Sequence, residues 1–124
     1  MKENSPARHK RTGETVDEYI AKIPNELAVD AVGLWQIVPV ARDAFGLEGA
    51  SLVDFIRRSL LALFARGAKP AMMRKGTGRW IFRDYGDTPE SMATAIITEW
   101  QKLGCKDPEP FDSLWFVLPR QQGQ

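Results

Sequence analysis

Between Ser51 and Gly67 the chain carries Leu52, Val53, Phe55, Ile56, Leu60, Leu61, Leu63 and Phe64. Wound into a helix, these side chains cover well over half the circumference, so the helix must be packed on more than one side. Ser51 with Asp54 reads as its start, and Gly67 followed by Pro70 as its stop. A helix of this kind is the centre of a fold. The rest of the chain has to supply elements that surround it.

Those elements are punctuated. Thr15 with Glu18 three residues on makes a capping box, and Val16, Tyr19, Ile20 and Ile23 line one helical face up to Pro24. Asn25 reads as a second N-cap, with a stripe of Leu27, Ala31, Leu34, Trp35 and Val38 running to a break or kink at Pro39. A short helix is expected from Val40 to Phe45, ended by Gly46. Beyond the central helix the period changes. Ala71 to Arg74 and Arg79 to Tyr85 flank Lys75-Gly76-Thr77-Gly78, the pattern of a β-hairpin. A strand after that glycine run also separates it from a phosphate-cradling loop, which opens a helix.

Thr88, Pro89 and Glu90 announce another helix, Met92, Ile96, Trp100 and Leu103 give it an apolar stripe, and Gly104 ends it. Leu114 to Leu118 is apolar on both faces and reads as an interior strand. The expected class is α+β: a helical N-terminal half, then a β-hairpin, a helix and a final strand forming a small, mostly antiparallel sheet packed on helices.

The chain's 124 residues suit a single domain. Residues 1–13 contain no Val, Ile, Leu, Phe, Trp or Tyr and are expected to form a disordered basic arm. Residues 14–119 are the domain and 120–124 a tail. The longest apolar run, Leu60 to Ala65, is far short of the ~20 residues of a membrane span, and no apolar segment backs the basic start. No membrane association is expected, and the default location is cytoplasmic, where a lone thiol stays reduced.

Catalytic groups are scarce. The only histidine, His9, lies in the expected arm, which argues against a nucleophile held by imidazole. Cys105 directly follows the glycine that ends a helix, an environment that does not activate a thiol. Asp84, Asp87 and Glu90 fall three apart, but turn-making, capping and complementing the helix dipole account for their places. No catalytic residue, metal ligand or cofactor is assigned.

The charge order is informative. From Phe55 to Arg83 the chain holds eight basic residues and no acid, giving +8 over 29 residues in a chain of net charge +1. Six of the eight are arginines, suited to bidentate contacts with carboxylates or phosphates. The expected role is a small non-enzymatic interaction or regulatory protein whose basic strip meets an acidic protein partner. Its expected contact residues are Arg57, Arg58, Arg74, Lys75, Arg79 and Arg83. Trp80, between Arg79 and Arg83, is the one tryptophan placed for stacking on a partner. One alternative is a winged-helix-like nucleic-acid binder, with helix 52–66 in the groove and the hairpin as wing. Another is a small enzyme or anion-binding domain using carboxylates. Either a monomer or a homodimer is compatible with the apolar last strand and four tryptophans.

Overall fold

A computed structural model describes residues 7–74, 76, 78–109 and 113–119, with the side chain of Arg74 excluded. The chain folds as α+β, with helices against one antiparallel sheet. Helix α1 is Val16–Lys22, and its capping box forms as expected. The Thr15 N–H donates to Glu18 Oε1 at 2.8 Å, and the Glu18 N–H donates to Thr15 Oγ1 at 3.1 Å.

The next stretch departs from the single helical stripe expected after Asn25. Asn25 sits inside a 3-10 turn, Ile23–Ala28, rather than at a cap. The Ala31 N–H then turns to the Asp30 carboxylate at 2.7 Å, and the chain extends into strand β1, Val32–Gly33. Helix α2, Leu34–Pro39, begins immediately, with the Gly33 N–H donating to Gln36 Oε1 at 2.7 Å. Pro39 passes the chain into a π turn, Val40–Ala44, where the Phe45 N–H reaches back to the Val40 carbonyl.

Helix α3, Gly49–Ala65, starts two residues before Ser51, whose hydroxyl bonds to the Glu48 carbonyl at 2.8 Å instead of capping. Its end is a Schellman motif. The Gly67 N–H bonds to Phe64 O and the Ala68 N–H to Leu63 O, with Gly67 at φ +93°. Leu52, Phe55, Ile56, Ser59, Leu60, Leu63 and Phe64 are all buried. Helices α1 and α2, both short turns and α4 (Pro89–Lys102) touch α3, which makes it the central helix.

Strands β2 (Lys69–Arg74) and β3 (Arg79–Phe82) form the expected hairpin, and β4 is Trp115–Val117. The sheet order is β1-β4-β2-β3, antiparallel throughout. Pro70 sits in the inner strand β2, where a missing N–H is normally costly. Its ladder position toward β3 is opposite Arg83, past the end of that strand, and only its carbonyl is used there. On one face Val32, Phe116 and Pro70 are buried; Val32 and Phe116 belong to the main core, where Phe116 meets Phe64 edge-on at 5.8 Å. On the other, Ala31, Ala71 and Val117 are roofed by indoles. Trp115 lies between Trp35, met edge-on at 5.9 Å, and Trp80, tilted against it at 5.7 Å, so β4 is apolar on both faces because both are covered.

Of the expected arm, residues 1–6 lie outside the described residues, as does the tail. Residues 7–13 are folded back rather than free. The Lys10 N–H bonds to Ala44 O, Arg8 bridges to Thr15, and the His9 ring lies against Tyr19 and Phe45. A chain without large apolar residues is held here by backbone bonds and one imidazole. Its Nδ1 accepts from the N–H groups of Arg11 and Thr12.

Candidate functional site

The basic strip divides when it folds. On α3, the Arg57 guanidinium donates to Thr94 Oγ1 of α4 at 2.9 Å. Arg58 pairs with Asp17 of α1 and lies 3.8 Å from Asp54 one turn earlier. Arg66 bonds to Asn25 Oδ1 at 3.2 Å. The helical part of the strip is therefore engaged with the chain's own polar groups, which joins α3 to its neighbours. Ahead of α1, Glu14 pairs with Lys22, and the Glu14 carboxyl is held below the ordinary carboxylate value chiefly by that contact.

The hairpin part is more exposed. Lys69, Arg79 and Arg83 are exposed, and the Arg83 guanidinium lies over the Tyr85 ring at 5.5 Å. Lys75 and the side chain of Arg74 lie outside the described residues. β3 is an edge strand. Because the Arg83 N–H bonds to Pro70 O, the alternation of an antiparallel ladder makes Ile81–Met72 and Arg79–Arg74 the bonded pairs. The backbone groups of Trp80 and Phe82 therefore point to the open edge. Ile81 and Phe82 are exposed beside them, 46% and 36% accessible. Trp80, expected as a stacking platform, is half-buried against Trp115.

Helix α3 buries Leu52, Phe55, Ile56, Leu60, Leu63 and Phe64 against its neighbours, and its outer side carries exposed Ser51 and Asp54 with half-exposed Arg57 and Arg58, both of them bonded to neighbouring helices. The carboxylates do not converge. Asp84, Asp87 and Glu90 are exposed, and Asp84 accepts the Gly86 N–H at 3.0 Å in a local turn. Among the described residues no three His, Cys, Asp or Glu side chains gather as a metal-holding group, and no helix is long and apolar enough to cross a membrane.

A cavity of about 450 Å³ opens between α4, the hairpin's inner face and residues 106–108. Met72, Ile96, Trp100, Leu103 and Leu114 supply its apolar wall. Sequence reading passed over it, because its walls come from segments far apart in the chain. Its shape depends on the second Schellman motif, at the end of α4. There the Gly104 N–H bonds to Gln101 O, the Cys105 N–H to Trp100 O, and Cys105 takes φ +57°. The turned chain then lets Lys106 O accept from Trp100 Nε1 at 2.8 Å and Cys105 O from Arg42 Nη2 at 2.7 Å. On the far wall the Tyr85 hydroxyl donates to Glu99 Oε1 at 2.7 Å.

Burial, and then the bond to Glu99, push the Tyr85 phenol well above its ordinary value. A raised folded-state value means that the fold favours the neutral phenol. The associated stability is complete below the unfolded value near pH ~10 and is lost as pH rises through the folded one. In a Tyr19→Phe background, absorbance titration should show Tyr85 ionising later than free tyrosine, with Glu99→Gln moving it back. Ionisation at the ordinary value would contradict the bond.

The chain matches no protein family, no curated protein and no solved structure with which it was compared.

Proposed function

We propose that this chain is a non-enzymatic binding module whose hairpin edge takes an extended acidic segment of a protein partner. The observation that carries the reading is the coincidence of an open strand edge with an acid-free basic stretch. The edge groups of Trp80 and Phe82 offer main-chain bonds to an added strand. Exposed Arg79 and Arg83 flank those positions on the same strand path, and Lys69 stands on the neighbouring strand. The same cations oppose edge-to-edge pairing with a second copy, which would bring Arg79 and Arg83 of the two chains together. An acidic strand meets no such penalty, and complementary charge chiefly speeds its encounter and selects it.

The contact set is thereby narrower than the whole strip, with Arg57 and Arg58 in structural roles. A nucleic-acid partner is the competing outcome, and the hairpin is the part it would use, since Arg57 and Arg58 of α3 are bonded to Thr94 and Asp17.

The test compares an eight-residue peptide of alternating Glu and Val with its Lys-Val counterpart and with a duplex DNA. The acidic peptide should bind at least about tenfold more tightly than the basic one, a difference of about 1.4 kcal/mol. It should slow exchange of the Trp80 and Phe82 amides, and Phe82→Pro, which removes an edge donor but no bond within the sheet, should abolish binding. Equal binding of the two peptides, or binding of neither, overturns the reading. So does submicromolar DNA binding with a log–log salt slope near −5, the value for about six phosphates.

A further inference from the structure

The cavity beside α4 has a charge arrangement that its volume alone does not convey. Four charged side chains line it: Arg83, Glu99, Lys106 and Asp107. Both acids already have partners. Asp107 is paired with Arg42, which lies beyond the wall, and Glu99 accepts the Tyr85 hydroxyl. The two cations are not so placed. Arg83 is stacked on the Tyr85 ring, which leaves the edges of its guanidinium fork available, and neither it nor Lys106 forms an ion pair among the described residues. The wall between them is apolar and aromatic.

From this we infer that the cavity is a binding site for a small organic acid, its apolar body against Met72, Ile96, Trp100 and Leu114 and its carboxylate met by Arg83 and Lys106. The volume of about 450 Å³ falls in the range of roughly 300–1,000 Å³ typical of small-molecule sites, which are mostly apolar with a few convergent polar groups. Arg83 presents two parallel N–H donors, the geometry that suits a carboxylate, and Lys106 adds a second point charge from the opposite segment. A neutral ligand of the same shape leaves both cations unanswered. An amine places a third positive charge beside them.

The measurement is calorimetric titration of the full chain with octanoate, octanol and octylamine, with methyl and backbone NMR shifts to locate the ligand. Octanoate should bind at least about tenfold more tightly than either of the others, and the shifts should fall on Ile96, Leu103 and Leu114. Arg83→Gln and Lys106→Gln should each weaken octanoate by about ten- to a hundredfold, as expected for one charge-assisted bond, with octanol unaffected. Both side chains are exposed, and unchanged circular dichroism would show the variants folded. Octanol equal to octanoate, tighter octylamine, shifts away from the cavity, or no binding would each overturn the assignment. Lys106 belongs to the cavity and not to the hairpin edge, so its variant separates this site from the strand-addition site.

Discussion

Replacing Phe116 by alanine is expected to destabilise the chain by about 3–5 kcal/mol, among the largest effects a single truncation can have here. Phe116 is fully buried in β4, between Val32 of β1 and Pro70 of β2, and meets Phe64 of α3 edge-on at 5.8 Å. It is therefore the point at which three strands and the central helix share one side chain. Truncation removes the transfer free energy of a ring and leaves a cavity that cannot collapse, because strands on both sides are held in register. Urea denaturation should show a lower midpoint with an unchanged slope, the mark of lost stability without a change in surface exposed. Phe82→Ala at the open edge serves as the control, with an effect below about 1 kcal/mol. A loss below about 1 kcal/mol at Phe116 would mean that the sheet is held to α3 by something else.

Gly33→Ala should cost about 1–3 kcal/mol, although glycine-to-alanine changes in ordinary extended backbone usually stabilise. A Cβ at Gly33 would fall 2.4 Å from Trp35 Cδ1, 2.5 Å from its Nε1 and 3.3 Å from Trp115 Cε3. The Trp35 indole sits against that backbone and meets Trp115 edge-on, so the methyl forces it out of the row. The Trp35→Ala background isolates the cause. With the indole gone the clash is gone, and the cost of Gly33→Ala should fall to within about 0.5 kcal/mol of zero. Near-UV circular dichroism should change in the single variant as the tryptophan contacts shift. An unchanged cost in the double variant would place the penalty in the backbone instead.

Helices and hairpin were legible because their marks are local. Thr15 and Glu18 stand one turn apart and cap each other in isolation, and Thr88, followed by Pro89, caps α4 by accepting the Ser91 N–H. The hairpin is announced by two short runs around a glycine-rich connection. Strand β1 was not legible. Two residues, Val32 and Gly33, carry no period, and they sit in a sequence that continues a helical stripe on either side. What makes them a strand is β4, more than eighty positions away, which offers a free ladder edge to the segment that Asp30 has already turned out of helix.

The basic strip teaches the same lesson about sites. Counting charges along the chain located it but said nothing of which cations have partners, since Asp17 and Arg58 are 41 positions apart and meet only across two packed helices. The cavity was hidden for a related reason. Arg83, Glu99 and Lys106 look unrelated in order, and the turn at Gly104 and Cys105 is what swings Lys106 back over Trp100.

By itself, then, the amino-acid order determined the α+β class, the central position of α3, the caps at Thr15 and Thr88, and the +8 stretch from Phe55 to Arg83. These rest on contacts within a turn or two, or on an apolar surface too wide for one neighbour. Tertiary structure decided the sheet order, the existence of β1, the row of three indoles, and the division of the arginines between structural bonds and an exposed edge. Each of those depends on which distant segments share a surface. That choice is set by the burial of the whole apolar set at once, and not by any one stretch of chain.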